Sequence, residues 1–322
     1  MSLTINHQTN DISNATGTIL VNGVAVGGDN SPPPWYGSRG LVLGGFNGPV
    51  NVIEYITIDT TGNATDFGDL TVYVGGCAAT SNGTRAVRAS GIPSGGGRTN
   101  VIDYVTVATT GNATDFGDVI TAVYRGAACS NGTRGLFGGG IDASTQVNSI
   151  EYITIASTGN GTDFGDLTLA RQSVKGWSNG TRGIFAGGHL TNNLGIIIDF
   201  VIVDTTGNAS DFGDLTVHRR GLATSGNTTR MLMAGGYESG YRNEIDYITM
   251  STESNATDFG DLTVGREEPC SGISNLTRAV FAGGVSPAVN VIDYVTVDTT
   301  GNATDFGDLT SAKYDVAGAA GT

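Results

Sequence analysis

The sequence predicts an all-β chain folded as a six-bladed β-propeller, and three observations carry that prediction. Asp-Phe-Gly-Asp recurs with its aromatic ring at Phe67, Phe116, Phe164, Phe212, Phe259 and Phe306, at spacings of 49, 48, 48, 47 and 47 residues. Each unit of about 48 residues holds four short β-prone runs separated by turn signals, which suits a blade of four antiparallel strands. No stretch sustains the 3.6-residue apolar period that a helix needs.

The third unit shows the four strands in order. Residues 124–129 read as the first strand and Ser130-Asn131-Gly132-Thr133 as a tight turn. Residues 134–137 form the second strand, which ends in Gly138-Gly139-Gly140. Residues 149–155 alternate apolar and polar side chains as the third, and residues 164–169 supply the fourth. An Asn-Gly pair between two β-prone runs is a strong hairpin signal. A parallel β-helix would lack these repeated hairpins.

Composition narrows the function. The 322 residues include 51 Gly and only 7 Pro, with 16 basic and 30 acidic side chains and a formal net charge of −14. That balance argues against a basic nucleic-acid binder. Gly without a three-residue period excludes collagen, and no apolar run is long enough for a transmembrane helix. The N-terminal residues lack the basic and apolar regions of a signal peptide. Three cysteines do not make a disulfide framework and read as free thiols.

Ring closure needs a strand from outside the six regular units. The tail at 311–319 has the phase of a first strand and is preferred as the partner of the strand opening at Arg39. Residues 23–28 are the alternative for that slot. The expected organisation is an N-terminal arm with a Pro-rich hinge over 1–37 and a propeller over 38–322. The arm would hold an apolar strand at 18–26, and the hinge Ser31-Pro32-Pro33-Pro34-Trp35 favours polyproline geometry.

The second run of most units ends in a glycine pair, as at Gly44-Gly45, Gly187-Gly188, Gly235-Gly236 and Gly283-Gly284. The third carries an acidic residue beside an aromatic: Glu54-Tyr55, Asp103-Tyr104, Glu151-Tyr152, Asp199-Phe200, Asp246-Tyr247 and Asp293-Tyr294. Over residues 38–313 this order resembles the kelch-type propeller repeat. It departs from that pattern at Ser90-Gly91, and in having Phe, 12 residues after the Tyr, where the family has a closer Trp. Kelch-like arrays serve unrelated roles, so the resemblance implies fold far more than function. The near-identical units, with their Thr-Thr-Gly-Asn-Ala-Thr-Asp-Phe-Gly-Asp-Leu-Thr phrase, also resemble repeat-containing virion proteins of marine bacteriophages. This second resemblance implies a tail or capsid-associated part.

Paired carboxylates head the candidate chemistry: Asp66, Asp115, Asp163, Asp211, Asp258 and Asp305, each followed three residues later by a second Asp. Calcium ligation or acid–base work is the functional reading. A catalytic pair is needed once, whereas this one occurs six times, so a structural role is preferred and no cofactor or metal is expected. Arg39, Arg85, Arg134, Arg182, Arg230 and Arg278 open the second strands, and Arg171, Arg219, Arg266 and Lys313 follow the Asp-Phe-Gly-Asp phrase. Guanidinium forks suit bonds between blades. The twelve Asn-x-Ser/Thr triplets read as Asx turns rather than glycosylation sites.

Variation between repeats is the better guide to function. The loops after the glycine pairs vary, and they share one face with Phe46, His189, Tyr237, Tyr241 and Arg242, the candidate binding residues. His189 reads as an exposed loop residue, and Trp177 belongs to the opposite surface. The expected function is a non-enzymatic structural or attachment protein in a virion. Its arm or a propeller face would meet other virion proteins, and its variable face a protein or host glycan. Neither nucleic-acid binding nor membrane insertion is expected. The alternatives are a propeller enzyme with a central-channel site, which would need unmatched His, Glu or Tyr residues on the axis, and a soluble cytoplasmic kelch-like adaptor.

Overall fold

The computed structural model describes residues 36–322, except 48, 49 and 192, together with the strand pairings of four short N-terminal segments. The chain divides into two units, Met1–Pro32 and Pro33–Thr322. In the first, Thr4–Asn6 pairs with Asp11–Ser13 and Leu20–Val21 with Val24–Ala25. The apolar segment expected as one strand over 18–26 is therefore a short hairpin at its centre. The hinge at 31–35 lies outside the described residues.

The second unit is a propeller of six four-stranded antiparallel sheets. Blade 3 contains Ala127–Ser130, Arg134–Gly138, Ser149–Thr154 and Thr162–Asp166, hydrogen-bonded in that order. The first strand begins later than the sequence suggests, and the fourth starts and ends earlier. Residues 119–126, with Tyr124 and Arg125, lead into blade 3, and residues 167–174, beginning at Leu167, lead out of it, so both lie outside the four-stranded sheet. In blade 1 the first strand is Ala317–Gly321, antiparallel to Arg39–Leu43. The tail at 311–319 is thus corrected to a strand that starts six residues later, because the preceding residues cross from blade 6. Val24–Ala25 pairs with its own hairpin partner instead.

Packing explains why one phrase repeats. The apolar core is divided into six clusters, each lying between two adjacent blades. Leu41, Ile53, Phe67 and Leu70 of blade 1, for example, meet Val74, Ala86, Val105 and Val107 of blade 2. The Phe of every Asp-Phe-Gly-Asp stands edge-on to the aromatic of the third strand, with centroids 5.9–6.2 Å apart. Gly68 follows Phe67 with φ of +148°, and a Cβ there would fall on the carbonyl oxygen of Gly111 in the next blade. The close approach lets Gly111 N–H donate to Phe67 O at 2.8 Å and Asp69 N–H donate to Asn112 Oδ1 at 3.0 Å. The outer edge of one blade is thereby latched to the Thr-Thr-Gly-Asn-Ala-Thr turn of the next, which leaves no free strand edge there.

Small first-strand residues bring the blades together at the axis. Ser130 Oγ donates to Ser81 O at 2.6 Å, Thr224 Oγ1 to Gly176 O at 2.7 Å and Ser225 Oγ to Ile273 O at 2.6 Å. At the end carrying the Asn-Gly turns, the Tyr36 and Trp177 rings pack 5.7 Å apart, and Trp177 Nε1–H donates to Asn227 O at 3.1 Å. Trp177 is therefore a buried axial plug and not part of a second surface. The cavity beside it is small, about 40 Å³.

Candidate functional site at the axial mouth

The repeated basic residues act between blades. Arg39 Nη1 donates to Val107 O and Ala108 O, both at 2.9 Å, while its guanidinium covers the Tyr55 ring at 4.7 Å. Arg85, Arg134, Arg182, Arg230 and Arg278 make the equivalent contacts with Ile155, Val203, Met250, Val297 and Ile58 of the blade beyond. Asp66, Asp115, Asp163, Asp211, Asp258 and Asp305 are exposed residues of the outermost strands. Among the described residues, no group of three His, Cys, Asp or Glu is placed to hold a metal ion.

The acidic residue of the third strand has a different fate: it is buried and neutralised. Arg171 pairs with Asp199, Arg219 with Asp246 and Arg266 with Asp293, each at 2.8 Å, and Lys313 pairs with Glu54. The same carboxylates take the Thr that closes each Asp-Phe-Gly-Asp phrase, as in Thr168 Oγ1 donating to Asp199 at 2.7 Å. In blade 2 the connector carries Val74, and Arg88 of the second strand reaches Asp103 at 2.5 Å.

The opposite end of the axis holds a feature with no motif in the sequence. Just before each first strand stands a residue in the left-handed region: Gly76, Arg125, Ser173, Gly221, Glu268 and Asp315, with φ between +53° and +65°. Their backbones close a ring in which each N–H donates to the carbonyl of the residue one blade before it. The bonds run from Gly76 to Asp315 at 2.9 Å, Arg125 to Gly76 at 2.8 Å and Ser173 to Arg125 at 2.8 Å. They continue from Gly221 to Ser173 at 3.3 Å, Glu268 to Gly221 at 2.6 Å and Asp315 to Glu268 at 3.2 Å. Four of the six are not glycine, a conformation that costs roughly 1–2 kcal/mol each. At Gly221 a Cβ would stand 2.9 Å from Glu268 Oε1, so glycine leaves room for that carboxylate.

Three ring residues carry charge, and Lys175 joins them from the first strand of blade 4. Arg125 Nη2 and Nε lie 2.9 and 3.0 Å from Asp315 Oδ2, and Lys175 Nζ lies 3.1 Å from Glu268 Oε2. Glu268 and Asp315 are almost wholly buried, whereas 23% of the Arg125 side chain remains exposed above them. Burial and the adjacent Glu268 push the Asp315 carboxyl up to about 7, against Arg125 and Lys175. Burial alone would raise Glu268 as well, but Lys175 and Arg125 outweigh it and hold that carboxyl down at about 2. Burial thus favours the neutral form of Asp315 beside a charged Glu268.

Around this ring lies a collar made by the variable loops. Phe46 exchanges backbone bonds with Tyr314, and their rings are 5.9 Å apart. His189 bridges to Gln172 and is half-buried rather than an exposed loop residue. Its Nδ1 lies 3.3 Å from the amides of Gln146 and Gln172, and burial, then Arg220 and Arg125, lowers its pKa. Tyr237 stands edge-on to Tyr241 at 5.6 Å, with Arg220 over its face at 5.1 Å. Tyr241 is 45% exposed, while Arg242 is held by Glu244 at 2.6 Å. His189, Tyr237, Tyr241 and Arg242 therefore come from adjacent blades 4 and 5, and Phe46 lies two blades away from blade 5 on the same rim. Arg125, Lys175, Glu268 and Asp315 are the residues that sequence reasoning did not single out.

No protein-family profile and no curated protein matches the chain. Among the described residues, no helix is long and apolar enough to cross a membrane.

Proposed function

We propose that this propeller is a non-enzymatic structural or attachment protein, a virion component whose axial-mouth face binds a protein partner or a host glycan. One observation carries the reading. The variable loops and the irregular ring residues share a single face, with the collar of Phe46, His189, Tyr237 and Tyr241, while the other face presents repeated Asx turns such as Asn131 Oδ1 accepting from Thr133 N–H and Arg134 N–H. A scaffold that preserves its blades and varies one rim is organised for recognition. The exposed Tyr241, braced by Tyr237, suits stacking on a sugar ring, and Arg242 beside Glu238 and Glu244 supplies polar contacts. The assignment to a virion rests on the resemblance of the repeats to phage proteins.

A glycan-array screen of the purified chain tests the face. Binding should fall at least about tenfold in Tyr241→Ala with the melting temperature unchanged. Retention of all binding by that variant would move the site elsewhere. The second reading, a propeller enzyme, draws on the axial cluster of Arg125, Lys175, Glu268 and Asp315, which brings acid, base and cation together at one end of the axis.

A further inference from the structure

Five blades neutralise the buried acid of their third strand with a buried cation, and blade 3 does not. Its acid, Glu151, is 5% exposed. The two positions that supply the cation elsewhere are occupied by Val123, in register with Arg171, and Phe137, in register with Arg88. No basic side chain of the described residues pairs with Glu151, whose carboxylate accepts Ile120 N–H at 2.7 Å and Thr121 N–H at 2.8 Å. Phe137 does not substitute for the missing guanidinium, because blades 4 and 6 hold Phe185 and Phe281 at that position and an arginine as well.

The vacated slot retains the acceptors of a guanidinium site. In blade 4, Arg171 donates to Asp199, Gly187 O, Phe185 O and Leu169 O at 2.8–3.3 Å. The residues in register in blade 3 are Glu151, Gly139, Phe137 and Thr121, and all four line one cavity with Val123 and Ser149. Arg88 in blade 2 confirms that the slot, not the origin of the side chain, is what is constant: it enters from another strand yet donates to Ser90 O and Val101 O, in register with Gly139 and Ser149. Val123 is only partly buried where Arg171, Arg219 and Arg266 are fully buried, so the slot opens toward solvent on the axial-mouth face.

We propose that the Glu151 slot is a binding site for a guanidinium-type cation, occupied by an arginine side chain of a partner docked on this face. An external guanidinium would meet one carboxylate and the carbonyls that serve Arg171 in blade 4. Without it, burial raises the Glu151 carboxyl, with the neighbouring Asp163 acting in the same direction against the two backbone donors. The identity of the occupant as a partner's residue rests on the interaction-face reading; the cation slot does not.

Thermal unfolding of the full chain with methylguanidinium, N-acetyl-arginine amide or tetramethylammonium tests the site. The first two should raise the melting temperature saturably by about 2 °C at tenfold excess over Kd, and tetramethylammonium, which has no N–H donors, should not. Glu151→Gln should abolish the shift, and Val123→Arg should raise the melting temperature without ligand and remove the response. A response to methylguanidinium alone would keep the slot but overturn the partner's arginine as occupant. No saturable shift, or a shift retained by Glu151→Gln, would overturn the site, and Glu151→Gln keeps the test decisive if Val123→Arg does not fold.

Discussion

Replacing Asp199 by Ala should lower stability by about 3–5 kcal/mol, which for a chain of this size is a fall in melting temperature of roughly 6–15 °C. The loss comes from what is left behind. Arg171 and Asp199 are both fully buried and 2.8 Å apart, and the remaining carbonyl acceptors cannot neutralise a guanidinium in an apolar core. The double variant Arg171→Met with Asp199→Leu should recover most of the loss, since the two ions are also costly to desolvate. Calorimetry of the two single variants and the double one separates the effects. If Asp199→Ala melts within about 1 °C of the wild type, the pair does not hold the blade 3 connector in place.

Asp315→Asn should flatten the pH dependence of stability and raise the melting temperature above neutral pH. The sign follows from the pair. A carboxyl raised from 3.8 to about 7 on folding favours the folded state fully below 3.8, and that contribution is lost as pH rises through 7. Glu268, lowered from 4.5 to about 2, acts in the other direction, contributing above 4.5 and losing its effect as pH falls through 2. The wild type should therefore be most stable near pH 4 and decline toward pH 8. Asn keeps an acceptor for Arg125 and stays neutral beside Glu268, and it tolerates the left-handed backbone at φ of +53°. A gain of about 1–3 kcal/mol at pH 8, with little change at pH 4, is expected from urea unfolding at the two values. An equal effect at both pH values would show that protonation of Asp315 does not contribute.

The blade count is legible in the sequence because each blade spends its constant residues on contacts with the next. Phe67 needs Tyr55, Gly68 needs the approach of Gly111, and Arg39 needs the carbonyls of Val107 and Ala108, so the same words recur wherever two blades meet. Strand ends are less legible, since Leu167 and Tyr314 look β-prone but serve connectors. The ring is the least legible part. Gly76, Arg125, Ser173, Gly221, Glu268 and Asp315 share a backbone conformation and no side-chain chemistry, and the bond each makes is to a carbonyl. The available signal is a variable column just ahead of a first strand, and alignment of the six units on it would have exposed the axial charges. Arg88 shows a related difficulty, because the guanidinium that Val74 cannot supply arrives from another strand.

The proposed role rests on which face of the propeller meets other molecules, and a density map of the assembled particle tests this most directly. The chain is expected in a tail or capsid, with the rim of Phe46, His189, Tyr237 and Tyr241 either contacting a neighbour or directed outward to a host ligand. Contacts confined to the Asn-Gly and Thr-Thr-Gly-Asn-Ala-Thr turns would contradict the assignment of the face. A chain absent from the particle, found as a free monomer that turns over a substrate, would contradict the structural role altogether.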